Sequence, residues 1–477
     1  MRVVLHADAS AVIGTGHVTR CLALAAALQR MGADVTLASA QIVDDLKRRA
    51  AALGVPVVDR DAAPRQPDWL VVDGYHLGRA VRASLAEPTV PRLVIDDLGG
   101  DVADATMVVN QNLGAGPATM GAAEVEVLAG PGYALLAEEF AAAEPERPQP
   151  PRTERVLVTM GGADPANATA LAVEALQLAP ETAGSVRVIL GPAHPSPDRI
   201  EHAARAAGFE VIRRAASLAG HLAWADLVVS ACGTSVLECA RLGRPIVGVV
   251  VADNQRRVAR ALVREGLGIV AGAHPGLTAA DLASAIAKLE DDEPTRQRIA
   301  RVGPSLVDGT GASRVARSMA IGPVTLRDAT FDDAGQLLDW RNEPAARRAS
   351  LDRNRIDPQV HGAWLRQRLQ DPAHRIWIGQ VGGEPIGVVR FALAGETAII
   401  SIALDPGRRG AGLGARLIAA GCARLAAAED ARVVEAVIRV DNQPSITAFR
   451  VAGFRSASAL TGDDDSLVFR LPLVPME

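Results

Sequence analysis

Short apolar runs that close on a polar residue recur through the first half of this chain, each followed by a stretch with helical spacing. Val3-Val4-Leu5, Val35-Thr36-Leu37-Ala38, Trp69-Leu70-Val71-Val72-Asp73, Arg92-Leu93-Val94-Ile95-Asp96-Asp97 and Met107-Val108-Val109-Asn110 form one series. Val156 to Gly162, Val186 to Leu190, Leu227 to Ser230 and Pro245 to Val249 form a second. Uninterrupted apolar strands alternating with helices predict parallel sheets covered on both faces, with polar groups collected at the carboxyl ends. Asp73, Asp96, Asp97, Asn110 and Asn112 are therefore expected along one edge, with Tyr75 and His76 just beyond Asp73. Helix capping or loop solvation accounts for any one of these acids taken singly. Between the two series lies Glu144-Pro145-Glu146-Arg147-Pro148-Gln149-Pro150-Pro151, whose prolines preclude a regular ladder and predict a stiff interdomain linker.

At 477 residues the chain has room for about three domains of ~150 residues each. A net charge of -5 with interspersed signs, and only 3% aromatic residues, argue against nucleic acid as a partner. Cys21, Cys232, Cys239 and Cys422 form no C-x-x-C pair and read as reduced thiols of a cytoplasmic protein. Met1-Arg2 leads directly into a strand, and no apolar run approaches the ~20 residues of a membrane span, so neither secretion nor membrane insertion is expected.

The stretch Gly14-Thr15-Gly16-His17-Val18-Thr19-Arg20 joins the first strand to a helix-patterned run from Val18 to Leu28. Such a turn aims backbone N–H groups and one imidazole at a cleft. A tight turn with His17 helping to cap the helix is the alternative. The stretch imitates a dinucleotide fingerprint but departs from it twice. Thr19 stands where the third glycine belongs, and the second strand runs into Ser39 rather than a ribose-binding carboxylate. In the second series, Gly161-Gly162 lets a ligand approach backbone, and Ser230-Ala231-Cys232-Gly233-Thr234-Ser235 leads from a strand into a helix. Glycine, hydroxyls and free N–H groups suit a pyrophosphate. Glu238, one turn further on, is placed to accept from two ribose hydroxyls, and Asp253-Asn254-Gln255 opens the next helix.

This order of features resembles the GT-B architecture of nucleotide-sugar enzymes, and within it the UDP-sugar hydrolases of pseudaminic acid biosynthesis. The resemblance covers about residues 1 to 320. It rests on Ala7-Asp8-Ala9-Ser10, Ile13-Gly14-Thr15-Gly16-His17 and Arg20, Asp73 with Tyr75, Met160-Gly161-Gly162 with Asp164, Ser230-Ala231 with Glu238, and Asn254-Gln255. It implies inverting release of UDP from UDP-2,4-diacetamido-2,4,6-trideoxy-β-L-altropyranose by water. His17 is then the base, because a neutral imidazole near pH 7 can take a proton from water. Asp8 or Tyr75 is expected to orient it or the sugar. Gly14, Gly16, Arg20, Gly161, Gly162, Asp164, Ser230, Thr234, Ser235, Glu238, Asn254 and Gln255 are the implied substrate and UDP ligands. No metal is expected, since backbone N–H groups can stabilise the leaving diphosphate and no Asp-x-Asp element stands in the sequence.

From about Gly322 the pattern changes to strands Pro323 to Asp328, Trp377 to Val381, Pro385 to Phe391 and Ala398 to Leu404, with a hairpin turn at Gly382-Gly383-Glu384-Pro385. Arg408-Arg409-Gly410-Ala411-Gly412-Leu413-Gly414 follows a strand and precedes the apolar helix Ala415 to Ala427. With Asp405-Pro406 before it and Asn442 to Phe454 after it, this stretch resembles the GNAT acetyltransferases over about residues 323 to 472. Acetyl-CoA is the cosubstrate so implied, held by Leu404, Arg409, Gly410, Ala411, Gly412, Gly414 and Asn442. Trp340-Arg341-Asn342 resembles a motif of the subgroup acetylating the 4-amino group of UDP-sugars. Phe449 stands where many relatives carry a tyrosine acid, and Ile399 offers no carboxylate, so water serves for either role.

The expected architecture is α/β: a Rossmann-like catalytic domain over 1–143, a Rossmann-like UDP-binding domain over 152–320, and an α+β GNAT domain over 323–477. A cut near Gly322 is expected to give two soluble pieces. A bifunctional enzyme that acetylates the amine of a UDP-sugar and then removes UDP is the leading reading. The alternative is a GT-B glycosyltransferase, or a silent sugar-nucleotide-binding module, joined to an acetyltransferase for another amine.

Overall fold

The computed structural model describes residues 1–116, 125–178, 184–215, 217–428, 430–457 and 466–473. Twenty strands are named in chain order. The first five are β1 (Arg2–Ala7), β2 (Asp34–Ala38), β3 (Val57–Val58), β4 (Trp69–Asp73) and β5 (Arg92–Ile95). Next come β6 (Met107–Asn110) and β7 (Glu126–Ala129). A second run holds β8 (Arg155–Thr159), β9 (Ser185–Leu190), β10 (Glu210–Arg213), β11 (Leu227–Ala231), β12 (Ile246–Val250) and β13 (Gly268–Ala273). The last holds β14 (Val324–Asp328), β15 (His374–Val381), β16 (Glu384–Ala394), β17 (Thr397–Leu404), β18 (Val433–Arg439), β19 (Arg455–Ser456) and β20 (Ser466–Pro472).

Two compact units contain them. The first comprises residues 1–98, 111–114 and 134–316, the second 99–110, 115–133 and 317–477. In the first unit β3-β2-β1-β4-β5 and β10-β9-β8-β11-β12-β13 are both parallel arrays. In both, the first strand in sequence lies centrally, so the chain reverses its winding beside it and leaves a crevice at the carboxyl ends. The strands are buried on both faces, with Leu5, Leu70, Val71, Leu157 and Val229 wholly inaccessible. The proline-rich stretch forms no strand or helix, yet it is tied along its length. Asp226 accepts from Arg147 at 2.6 Å, Gln149 donates to the Asp226 carbonyl, and the fully buried Arg296 donates to the carbonyls of Pro150 and Pro151.

The second unit is built on the order β14-β15-β16-β17-β18-β20-β19, antiparallel except where β17 meets β18. Gly382 and Gly383, both at positive φ, link β15 to β16 in a two-residue turn whose twist matches its strands. The helix Leu413–Ala427 covers one face, packing Leu417, Ile418 and Cys422 on Val389, Phe391 and Ile400. The parallel pair β6 and β7 also belongs to this unit rather than to residues 1–98. Glu126 on β7 accepts from Arg416 at 2.6 Å through both carboxylate oxygens, with each side chain 3% exposed. Glu126 also accepts from the Val324 N–H, and Arg416 donates to the Gly322 carbonyl. The carboxylate that neutralises this buried arginine thus lies almost 300 residues upstream of it.

Candidate active sites

At the end of β1 the chain turns through Gly14, whose φ of +85° favours glycine, before the helix Gly16–Arg30 begins. His17 and Arg20 sit about one turn apart on that helix and both reach Asp73 at the end of the neighbouring β4. Arg20 grips the carboxylate through Nε and a terminal nitrogen at 2.5 and 2.6 Å and sends its other terminal nitrogen to Asp97 at 2.6 Å. Burial works against the charge of Asp73, but Arg20 and His17 outweigh it and hold the carboxyl below its ordinary pKa. The carboxylate lies 2.6 Å from His17 Nδ1. In a neutral imidazole this contact assigns the proton to Nδ1 and the lone pair to Nε2. The Tyr75 ring meets the imidazole edge-on at 4.9 Å, and its hydroxyl donates to Asp97 at 3.4 Å.

Asp8 is placed elsewhere. It accepts from the Ser39 hydroxyl, the Ala40 and Gln41 N–H groups, His76 Nε2 at 2.6 Å and Arg60. Its carboxylate braces the loop after β2. The carboxylate in contact with His17 is Asp73, which the sequence offered as an edge acid and, with Tyr75, as part of the hydrolase resemblance.

The second parallel array contributes loops to the same crevice. A Cβ added to Gly162 would overlap the Thr15 side chain, and one on Gly16 would lie 3.9 Å from Thr234 Oγ1. The turn before His17 thus faces Gly162 and Thr234, and a side chain at Gly162 would collide with Thr15. Asn254 Nδ2 donates to the Tyr75 hydroxyl at 3.4 Å. Glu238 is half-buried, hydrogen-bonded by Ser235 and near Arg49, and burial pushes its carboxyl up to about 7. Three other expected ligands are engaged internally. Asp164 accepts from the Ala168 and Thr169 N–H groups and the Thr169 hydroxyl, Ser230 is buried and donates to the Ala231 carbonyl, and Gln255 accepts from the Val251 N–H.

In the second unit β17 pairs with β18 only through Thr397, Ala398 and Ile399, after which the strands part. Past Leu404 the chain enters a loop with Gly410 and Gly412 at φ of +77° and +81°, and the helix Leu413–Ala427 starts at once. Its first N–H groups have no intrahelical partner and point into the loop, a cradle for phosphate. A Cβ on Gly414 would lie in van der Waals contact with Leu404 and Ala448 at 3.5 Å, so the strand end, the loop and the helix Gln443–Val451 pack side by side here. Arg409 pairs with Glu343 at 2.8 Å. The Ala345 N–H is the main cause of the Glu343 carboxyl falling to about 2, with burial opposing and Arg409 helping. Asn442 caps its helix by accepting from the Ser445 N–H and donates to the Ala349 carbonyl. Phe449 is core, edge-on to Phe454 at 4.9 Å.

Comparison with known families fits this geometry. Residues 336–454, which contain the parted strands and the glycine loop, match the acetyltransferase (GNAT) family. The chain carries a GNAT acetyltransferase domain. Residues 155–302 match the C-terminal domain of glycosyltransferase family 28. An uncharacterized protein of Methanocaldococcus jannaschii is 22% identical over 54% of this chain and 57% of its own length. The spore coat polysaccharide biosynthesis protein SpsG of Bacillus subtilis is 23% identical over 39% of this chain and 56% of its own. A mycothiol acetyltransferase of Clavibacter michiganensis subsp. michiganensis is 27% identical over 44% of this chain and 69% of its own. The chain thus spans little more than half the length of the first two relatives. A region similar to the glycosyltransferase family 28 C-terminal domain and an acetyltransferase domain are thus joined in one polypeptide. Among the described residues no group of three or more His, Cys, Asp or Glu could hold a metal ion, and no helix is long and apolar enough to cross a membrane.

Proposed function

We propose that the chain is a bifunctional nucleotide-sugar enzyme. Its GNAT domain transfers acetyl from acetyl-CoA to the 4-amino group of a UDP-4-amino-4,6-dideoxy sugar, and its parallel-sheet unit releases UDP from the diacetamido sugar nucleotide, as in nonulosonic acid biosynthesis. The observation that carries the second activity is the His17–Asp73 pair opposite Gly162 and Thr234. His17 Nε2 removes a proton from water, the water oxygen attacks the anomeric carbon from the face opposite UDP, and the bond from that carbon to the diphosphate oxygen breaks. Asp73 keeps the Nδ1 tautomer in place and stabilises the imidazolium as it forms. Backbone N–H groups near Gly161, Gly162 and Thr234 receive the leaving diphosphate, and Glu238 accepts from the ribose.

In the acetyltransferase domain the amine nitrogen attacks the thioester carbonyl, the carbon–sulfur bond breaks, and the amine proton leaves to water. The pyrophosphate of acetyl-CoA lies on the loop of Arg409 to Gly414, and its pantetheine arm passes Leu404 and Asn442. The family 28 match favours a second reading for the front unit, transfer of the sugar to an acceptor rather than to water. Incubation of the acetylated UDP-sugar with no acceptor separates the two. Stoichiometric UDP and free sugar with inverted anomeric configuration are expected, and UDP release that appears only with an added acceptor overturns the hydrolase.

A further inference from the structure

On the face of the mixed sheet turned away from the helix Leu413–Ala427, two arginines converge without a carboxylate. Arg390 on β16 stands opposite Ser401 on β17, three residues before Leu404. Its Nε donates to the Ser401 hydroxyl at 3.1 Å, and its guanidinium lies 5.3 Å from the Trp364 ring centroid. Arg341, on the helix Ala334–Asn342, spends one terminal nitrogen on the Asp352 carbonyl at 2.7 Å, while its other terminal nitrogen is buried without a partner. Neither arginine makes an ion pair among the described residues. Desolvation first, and Arg341 second, bring the Arg390 pKa down to about 10. His361, 5% exposed on the helix Pro358–Gln370, is likewise held toward its neutral form by burial and by Arg390.

The place of this cluster matters. Ser401 and the 47% exposed Ile399 lie on the same open face as Arg390, at the height where β17 and β18 part. An acyl group threading that gap from the glycine loop meets its acceptor on this face. Two guanidiniums that repel each other and lose hydration, one of them with a buried unpartnered nitrogen, favour an anion in the complex. Planar forks match phosphate oxygens two at a time, and the same pair disfavours a polycationic acceptor.

We infer that Arg341 and Arg390 form the anion-holding wall of the acetyl-acceptor pocket, and that they grip the diphosphate of a sugar nucleotide while its amine reaches the gap between β17 and β18. This rests on the proposed acetylation of a UDP-amino sugar and assigns the residues that select it. The full chain is assayed with acetyl-CoA and a UDP-4-amino-4,6-dideoxy sugar. Arg390→Gln and Arg341→Gln should each raise the acceptor KM about 10- to 100-fold, the worth of a hydrogen bond to a charged group. The acetyl-CoA KM should stay within about twofold, and Arg390→Lys should recover part of the loss, since the charge remains without the fork. An unchanged acceptor KM in both glutamine variants overturns the assignment while leaving UDP-sugar acetylation standing. If the unaltered chain does not acetylate the UDP-sugar, that reading falls and the pocket is judged by inorganic pyrophosphate. Pyrophosphate should then slow phenylglyoxal modification of Arg341 and Arg390, read by peptide mass spectrometry, and equal modification rates with and without it overturn the pocket.

Discussion

The two sites handle positive charge in opposite ways. In the parallel-sheet unit the arginines at the carboxyl ends are matched: Arg20 lies between Asp73 and Asp97, and Arg60 rests on Asp8. On the open face of the acetyltransferase sheet Arg341 and Arg390 share no carboxylate among the described residues. A neutralised network fixes geometry and leaves one lone pair free for proton transfer. An uncompensated one leaves charge for a ligand to complete. Under the proposed functions, the ion pairs of the first site serve positioning, and the unpaired guanidiniums of the second serve recognition.

That contrast is most sharply tested at Asp73. Asp73→Asn keeps the size of the side chain but removes the charge that steadies the imidazolium, so UDP release should fall by about 10²–10⁴-fold. UDP affinity should change little, because neither residue is assigned to the nucleotide. A drop in affinity matching the drop in rate would mean that the network holds the ligand and that the contrast is false.

Next in size is the buried pair of the second unit. Glu126→Gln leaves Arg416 buried without a counter-charge, and breaking such a pair costs about 3–5 kcal/mol. Urea titration followed by acetyl transfer should register that loss, and an unchanged midpoint would show Arg416 to be solvated. By the same reasoning a fragment starting at residue 323 should be far less stable than the intact chain.

The pH dependence of stability sets the parallel-sheet unit apart again. His6 is 1% exposed, both its ring nitrogens lack partners, and desolvation followed by Arg60 lowers its pKa to about 4. The unfolded chain takes up this proton near pH 6.5 and the folded chain does not. Stability is therefore full above about pH 6.5 and falls with pH down to about 4, by at most about 3 kcal/mol from this residue. His6→Leu should flatten the urea midpoint between pH 7 and pH 5, and an identical slope in the variant would exclude His6 as the cause.

The smallest effect concerns Glu238. Glu238→Ala should weaken UDP binding by about 1.5–3 kcal/mol by calorimetry. Because burial raises the carboxyl to about 7, the acceptor form is lost as pH falls through that value, and UDP affinity should fall with it. A pH-independent affinity would move the ribose elsewhere.

The central strands of both parallel arrays were legible from apolar runs, since continuous Val, Ile and Leu segments have few other folded uses, whereas β3, β10 and β13, short or partly exposed, were not. Trp69–Asp73 and Met107–Asn110 are strands with the bounds their residues suggest, and the helix expected from Val18 begins two residues sooner at Gly16. The partner of His17 was not legible. Asp8 is near His17 in sequence, but Asp73, 56 residues away, reaches it because β1 and β4 are neighbours. Pairing of strands is a tertiary fact that local pattern does not encode. Arg390 was equally silent, since one arginine within a strand reads as a solvated surface position until its neighbours are known to lack acids. The glycine loop was the opposite case, because Gly410 and Gly412 occupy backbone conformations that other residues avoid.

The Glu126–Arg416 contact also imposes a schedule on synthesis. The two residues are 290 positions apart, and a ribosome adding ~5–20 residues per second takes roughly 15–60 s to pass from one to the other. For that interval β6 and β7 have left the ribosome while the helix that neutralises Glu126 does not yet exist. The carboxylate must stay hydrated until Arg416 emerges, so this buried pair closes only near the end of translation.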